Sequence, residues 1–370
     1  MKITPFALER YFAKHEFTAP YLLCCSDCEA LTMSDLLTLA DESSLRLWQD
    51  LKLGYTESMG HPLLREEIVQ LYDSITPNEV LVTVPEEGIY IAMNNLLQQG
   101  DHIVVTGPGY QSLSEVATSL GCNISFWMPK WEERNGWQFK IEDMLCLVTK
   151  NTKLIVINFP HNPTGCVLCE AEMNKVVEIA RERNMSIFSD EMYRYLEHDP
   201  SLRLPSVAEI YEKGIALSGL SKSFALPGLR IGWLISKDKT LLQSCAYFKD
   251  YTTICSSAPS EVLGLIGLRA KEQILKRNIE IISKNLNLLD TFFNRYAHLF
   301  AWHRPLASTI ALPKLLINKP VTSYCDDLIE KSGVMLLPAP LFGLDDQYFR
   351  IGFGRKNLPE ALARWEAHLC

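Results

Sequence analysis

The stretch Ser218-Gly-Leu-Ser-Lys-Ser-Phe-Ala-Leu-Pro-Gly-Leu-Arg-Ile-Gly-Trp233 holds the residues with the clearest capacity for chemistry. Lys222 stands among serines and a glycine, so little side-chain bulk separates it from a ligand. An amine taken out of water loses its proton more readily, and a free amine attacks an aldehyde to form a Schiff base. Arg230 follows eight positions later. Its planar fork grips a phosphate through two parallel charge-assisted bonds. Together they suit an aldehyde that carries a phosphate, which describes pyridoxal phosphate (PLP). The same stretch taken alone would also serve as a solvated loop with a surface lysine and arginine, so the other motifs have to decide.

Asp190 closes the segment Met185-Ser-Ile-Phe-Ser-Asp190, where a carboxylate is half-buried and needs a partner. A pyridinium nitrogen is such a partner, and its protonation makes the ring an electron sink. Asn162-Pro-Thr-Gly165 has the composition of a turn, and the Asn162 amide can donate to a phenolate oxygen that Tyr193 would share. Gly107-Pro-Gly109-Tyr-Gln-Ser112 comes near the dinucleotide fingerprint G-x-G-x-x-G, with Glu132 and Glu133 about twenty residues on, so an NAD-dependent dehydrogenase is a rival. Against it, Ser112 replaces the third glycine, and Pro108 and Tyr110 put bulk where a pyrophosphate needs open backbone. Cys25/Cys28 and Cys166/Cys169 have C-x-x-C spacing. No His falls at ligand spacing beside either pair, so buried or capping thiols are expected and no metal.

These residues need elements to position them. Strands are expected at 79–83, 101–106, 124–128, 154–158, 185–188, 215–218 and 231–235, with helices at 62–72, 85–97, 113–120 and 170–183. Alternation of helices with wholly apolar strands predicts an α/β fold: a three-layer αβα domain with a mainly parallel sheet covered on both faces. In such folds ligands gather beyond the strand carboxyl ends, where Asn162, Asp190 and Lys222 fall. The helix start Pro85-Glu86-Glu87-Gly88 offers unpaired N–H groups to an anion. Past residue 240 the pattern changes to long helices and short strands at 312–317, 334–337 and 348–352. This divides the chain into a large PLP-binding domain, 41–240, and a smaller α+β domain from 1–40 and 241–370. A short amphipathic helix before Pro20 and a helix capped by Ser34 are expected in the N-terminal segment.

Composition narrows the class. The 370 residues are 47% hydrophobic with a net charge of −8 spread without long runs. That disfavours nucleic acid and anionic membrane surfaces as partners. No apolar run reaches the ~20 residues that span a bilayer, and no secretory h-region opens the chain. A soluble cytoplasmic protein with its 11 cysteines reduced is expected.

In order along the chain, the motifs resemble the class I/II aminotransferases of the PLP-dependent fold type I family. The resemblance rests on Tyr55 with Gly60 and Leu64-Arg65, Tyr110 after Pro108, Asn162-Pro-Thr-Gly165, Asp190 with Tyr193, Ser221-Lys222 with Arg230, Pro338 with Phe342-Gly343, and Arg350. It implies that Lys222 holds PLP as a Schiff base and shuttles the proton, with Asp190 on the pyridine nitrogen and Asn162 and Tyr193 on the ring oxygen. It implies further that Tyr110 stacks on the ring and that Ser221, Arg230 and the N–H groups of Glu86 and Glu87 hold the phosphate. Arg350, with Asn162, would take the substrate α-carboxylate, and Tyr55 would reach the neighbouring site of a homodimer. The implied activity is transfer of an amino group between a small α-amino acid and a 2-oxo acid. Similar scaffolds serve PLP lyases, replacement enzymes and cyclases similar to capreomycidine synthase, while PLP-binding regulators carry a DNA-binding domain for which this chain has neither room nor basic charge.

Three departures from the family pattern stand out. Glu86 and Glu87 would repel a phosphate unless they point away. Gly219 replaces a serine common in relatives, and the loop Ser26-Asp-Cys-Glu-Ala30 lacks the glycine that commonly approaches the substrate carboxylate. For Arg350 the alternative to a ligand is a salt bridge to Asp345 or Asp346, or plain exposure.

Overall fold

In the computed structural model, which describes residues 3–369, the apolar runs alternate strictly between two faces of one sheet. Its strands are β1 (Val80–Thr83), β2 (His102–Thr106) and β3 (Asn123–Trp127). A hairpin of β4 (Lys130–Glu132) and β5 (Gly136–Gln138) intervenes. The sheet resumes with β6 (Thr152–Asn158), β7 (Ser186–Asp190), β8 (Gly214–Gly219) and β9 (Gly232–Ser236). The order is β1-β9-β8-β7-β6-β2-β3, and the five strands from β8 to β3 are parallel. Val104, Ile155, Ile187 and Trp233 pack on one face. Ile103, Val156, Phe188 and Leu234 pack on the other, so both faces are apolar and both are covered.

Strand β9 runs antiparallel to both neighbours. It returns from β8 through the loop that contains Lys222, with no crossover helix, and only an antiparallel partner can be reached that way. Gly219 and Gly232 face each other in the β8–β9 register. A Cβ on Gly219 would lie 2.9 Å from the Gly232 Cα and 3.0 Å from the Ile231 carbonyl oxygen; one on Gly232 would lie 2.7 Å from Pro85 Cγ. The Pro85 ring, in the first turn of the helix Pro85–Leu96, occupies the space over this pair. Glycine at 219 is therefore a packing requirement of this chain.

A second core lies beyond the sheet. It is built on the long helix Lys271–Arg295 and on β10 (Phe300–Ala301), β11 (Ile310–Ala311), β12 (Lys314–Leu315), β13 (Leu337–Pro338) and β14 (Phe349–Gly352). Phe293, Phe300, Phe349 and Trp365 are at its centre. The strand expected at 312–317 is split into β11 and β12 around Pro313, which has no N–H to give a ladder. The one expected at 334–337 begins with a single bridge from Val334 to Tyr21. The helices Lys239–Lys249 and Ala258–Arg269 lie past residue 240, yet Leu242 and Leu265 pack in the two cores that flank the large sheet.

The N-terminal segment joins the second core. Its helix Ala7–His15 is followed by an extended run, in which the Gly352 N–H donates to the Leu23 carbonyl at 3.1 Å and the Glu29 N–H to the Gly354 carbonyl at 2.8 Å. The helix Met33–Thr38 is capped by Thr32, whose Oγ1 accepts from the Asp35 N–H at 3.1 Å, and not by Ser34. Asp35 reaches back to the Thr32 N–H, and a residue inside the helix cannot make that reciprocal box. Among the described residues no helix is long and apolar enough to cross a membrane.

The seam between the N-terminal run and β14 gives a stability test. A Cβ on Gly352 would lie 2.0 Å from the Cys25 carbonyl oxygen, whereas one on Gly54 would meet nothing within 4 Å. Gly352→Ala should lose about 2–4 kcal/mol in denaturant unfolding, and Gly54→Ala should stay within about 0.5 kcal/mol of the parent.

Candidate active site

Strand register brings the polar strand ends together. Asn158 ends β6 and pairs with Asp190, which ends β7; Asp190 pairs with Leu217 on β8. Asn158 stitches this edge: its Nδ2 donates to the Asp190 carbonyl at 3.0 Å, and its Oδ1 accepts the Asn162 N–H at 2.9 Å. Just beyond lies a cavity of about 380 Å³ lined by Glu86, Tyr110, Asn162, Asp190, Tyr193, Ser221, Lys222, Arg230 and Arg350. Nine of the eleven residues expected to form the site thus meet in one place. Glu87 and Tyr55 do not line it.

Lys222 borders the cavity and is half-buried. Its Nζ donates to Ser26 Oγ at 2.8 Å. Burial pushes its pKa below the ordinary lysine value, and Arg350 and Arg230 add to this against the pull of Asp27. The Ser26 carbonyl in turn accepts from Tyr193 Oη at 3.2 Å and Thr309 Oγ1 at 2.8 Å. The run from Ser26 therefore fits over the lysine without a glycine. Asp190, 5% exposed, accepts the Met192 N–H at 3.1 Å and makes no ion pair among the described residues. Burial raises its carboxyl to about 7, although the Met192 N–H and Lys222 both oppose the rise.

Arg350, 1% exposed, has no carboxylate partner among the described residues. Its Nη1 donates to Asn162 Oδ1 at 3.2 Å and its Nη2 to the Cys24 carbonyl at 3.0 Å, and Nε has no partner. Asp346 is no candidate for pairing, because its Oδ1 accepts from the N–H and Oγ1 of Thr322, each at 2.8 Å. Arg230 sits in the left-handed region at φ +55 and its Nη1 donates to the Pro227 carbonyl at 2.9 Å. For a non-glycine residue that backbone costs about 1–2 kcal/mol.

The two glutamates of the helix start part company. Glu87 turns away, with its carboxylate accepting from Thr83 Oγ1 at 2.7 Å, from Thr253 Oγ1 at 2.8 Å and from Thr252. Burial would raise its pKa, but these bonds hold it below the usual glutamate value. Glu86 stays on the cavity wall and accepts from the Ser112 hydroxyl. Burial raises its pKa, which favours the neutral form beside an anion. Tyr110 lines the cavity with its ring packed 5.0 Å from Phe6. Ser112, which stands where a dinucleotide fingerprint has its third glycine, is committed to Glu86.

Tyr55 is 91% exposed and lines a separate open groove of about 1150 Å³ with Arg46, His61 and Glu261. Its loop is pinned from beneath. Glu261 accepts from Thr56 Oγ1 at 2.8 Å and from the His61 N–H at 3.2 Å, and Lys249 donates to the Ser58 carbonyl at 2.6 Å. Sequence reasoning missed these two residues, along with Ser26, Asn158 and the ion pair of Asp27 with Arg355 at 3.0 Å. Asn158 left a signal in its own type: like Asp190, it is a polar residue closing an apolar strand.

The model of the family "Aminotransferase class I and II" matches residues 35–364. The chain belongs to this family. It is 26% identical over 319 residues to an aspartate aminotransferase of Sulfurisphaera tokodaii, a match covering 82% of this chain and 79% of that one. It is 27% identical over 292 residues to capreomycidine synthase of Streptomyces vinaceus, covering 78% and 74%. A PLP-dependent aminotransferase of Streptococcus suis superposes with a TM-score of 0.92 at 32% identity, covering 100% of this chain and 98% of that one. The chain is a PLP-dependent aminotransferase. The site fits this cofactor, since the ion-pair-free Asp190 at one wall faces an enclosure that also holds an amine and a guanidinium.

Asp190 supplies a test in cofactor-free protein. Its folded pKa lies above the unfolded value of 3.8, so the native state holds the extra proton between that value and about 7. Native stability therefore falls as pH rises through this window, and the penalty is complete above it. Asp190→Asn removes the titration and keeps the acceptor for Met192. It should stabilise the cofactor-free protein by up to about 4 kcal/mol at pH 8 and by almost nothing below pH 4, read by denaturant unfolding at each pH.

Proposed function

We propose that the cavity around Lys222 moves an amino group between an α-amino acid and a 2-oxo acid, with the residue roles as follows. The reading is carried by one observation: a depressed-pKa amine lies in the same cavity as a carboxylate and a guanidinium that both lack ionic partners. Bound PLP supplies an aldehyde for the amine and an electron sink for the charge left on the substrate Cα. Asp190 would hold the ring nitrogen, Asn162 and Tyr193 the ring oxygen, and Tyr110 the ring face. Ser221, Arg230 and the first-turn N–H groups of Glu86 and Glu87 would hold the phosphate. Lys222 Nζ, kept ready to lose its proton by burial, is the base that takes the substrate α-proton and returns it. Arg350 would grip the α-carboxylate, with Asn162 fixing one end of its fork.

The active unit in this reading is a homodimer. Leu53, Tyr55, Tyr247, Tyr251 and Ile254 are exposed, and Lys249 ties the two loops of this surface together through the Ser58 and Ile254 carbonyls. Exposed apolar residues gathered in this way mark an association surface. Sedimentation at assay concentration should show a dimer, and a fully active monomer would rule this out. The division into a large domain, 41–240, and a small one, 1–40 with 241–370, is supported by the separate cores, although the helices Lys239–Lys249 and Ala258–Arg269 pack with the large one. The described cysteines are all free thiols, which suits a cytoplasmic location.

Arg350→Lys tests the carboxylate grip. Lysine cannot copy the two-pronged contact, so kcat/KM for an amino acid should fall by the equivalent of about 2–4 kcal/mol. Binding of PLP should barely change. If the variant still prefers an amino acid over its decarboxylated amine as strongly as the parent does, Arg350 is not the anchor.

A further inference from the structure

The far wall of the cavity comes from the N-terminal helix Ala7–His15 and the run after Cys25. Glu9, Phe12 and Glu16 are three and then four positions apart, which sets them on one face at helical spacing. All three line the cavity, as do Asp27 and Arg355.

The charges around this wall do not balance. Of the cations that line the cavity, Arg355 is held by Asp27 at 3.0 and 3.1 Å. Lys222, Arg230 and Arg350 have the tasks given above. Glu9 and Glu16 make no ion pair among the described residues. Three carboxylates thus face one guanidinium. Burial raises the pKa of Glu16, and Glu9 and Asp27 push it further against the pull of Arg355, so the carboxylates lie close enough to feel one another. Arg350, fully buried with an Nε that has no hydrogen-bond partner, lines the same cavity and marks it as built to receive a ligand.

We propose that the amino acid accepted here carries a cationic side chain, guanidinium or ammonium, received by Glu9, Glu16 and Asp27 with its aliphatic stem on Phe12. The proposal rests on the aminotransferase reading above. A cation relieves the repulsion among these carboxylates, and the Phe12 ring suits both an apolar stem and a cation over its face. A substrate with a carboxylate side chain would add a like charge and find no uncommitted cation among the described residues that line the cavity.

The test uses PLP-loaded protein. L-arginine is compared with its neutral counterpart L-citrulline, L-lysine with L-norleucine, and L-aspartate is titrated alongside. The change in the cofactor's visible absorption and the calorimetric binding curve are both read. At least one cationic amino acid should half-saturate at a concentration about tenfold below its neutral counterpart. That advantage should shrink in high salt and in Glu9→Gln with Glu16→Gln. Equal half-saturation within both pairs, or tighter binding of aspartate, overturns the side-chain preference and leaves the aminotransferase reading standing. If no amino acid alters the cofactor band, both fail. The ratios in the parent protein decide the matter even if the double variant does not fold.

Discussion

Lys222 Nζ reaches one neutral oxygen, Ser26 Oγ, and no carboxylate among the described residues. Keeping an amine in that setting depresses its pKa, and the setting exists only because the N-terminal run lies across it. The run is fixed by backbone bonds to Gly352 and Gly354, at and just past the end of β14, and by the hydroxyls of Tyr193 and Thr309 on the Ser26 carbonyl. Gly352 and Gly354 permit that approach, since a Cβ on either would enter the backbone of residues 25–28. A seam between two pieces of main chain, far apart in sequence, thus sets the reactivity of the central amine.

The same economy of counter-charges runs through the cavity. Asp190 and Arg350 are buried without ionic partners of their own, and such groups persist where a ligand completes them. Glu86 and Glu87 show the opposite device. Each acid at the helix start is satisfied locally, Glu87 by three threonines and Glu86 by Ser112, so neither is left as a bare charge where an anion would sit. The cavity keeps its unpaired charges for groups a ligand can meet.

Much of this was legible in the sequence. Period and apolarity located the seven strands of the main sheet, because strands covered on both faces have almost no polar positions to confuse the pattern. Asn162, Asp190 and Lys222 could be found because each lies at or just past a strand end, where chemistry and topology coincide, and Arg230 because it shares the loop of Lys222. The reversal of β9 was not legible, since direction depends on what connects two strands and not on their composition. The loop that begins at Ser26 stood out only through the family resemblance, and Arg355 gave no signal, because their importance comes from tertiary approach alone. The side chains of Glu86 and Glu87 look alike in sequence, and only their threonine and serine neighbours separate them. Trp131 and Trp137, which stack edge to face across the β4–β5 hairpin, were likewise outside any motif.

Two lysines have pKa values depressed by burial, Lys222 and Lys249. Only Lys222 lines the cavity with Asp190 and Arg350, while Lys249 is committed to backbone carbonyls beneath the Tyr55 loop. Borohydride reduction of the PLP-loaded protein, followed by peptide mapping, separates them. The cofactor should be found on Lys222 alone, at one per chain, and Lys222→Ala should abolish the label. A label on Lys249 or any other lysine would contradict the assignment of the amine on which the whole site is built.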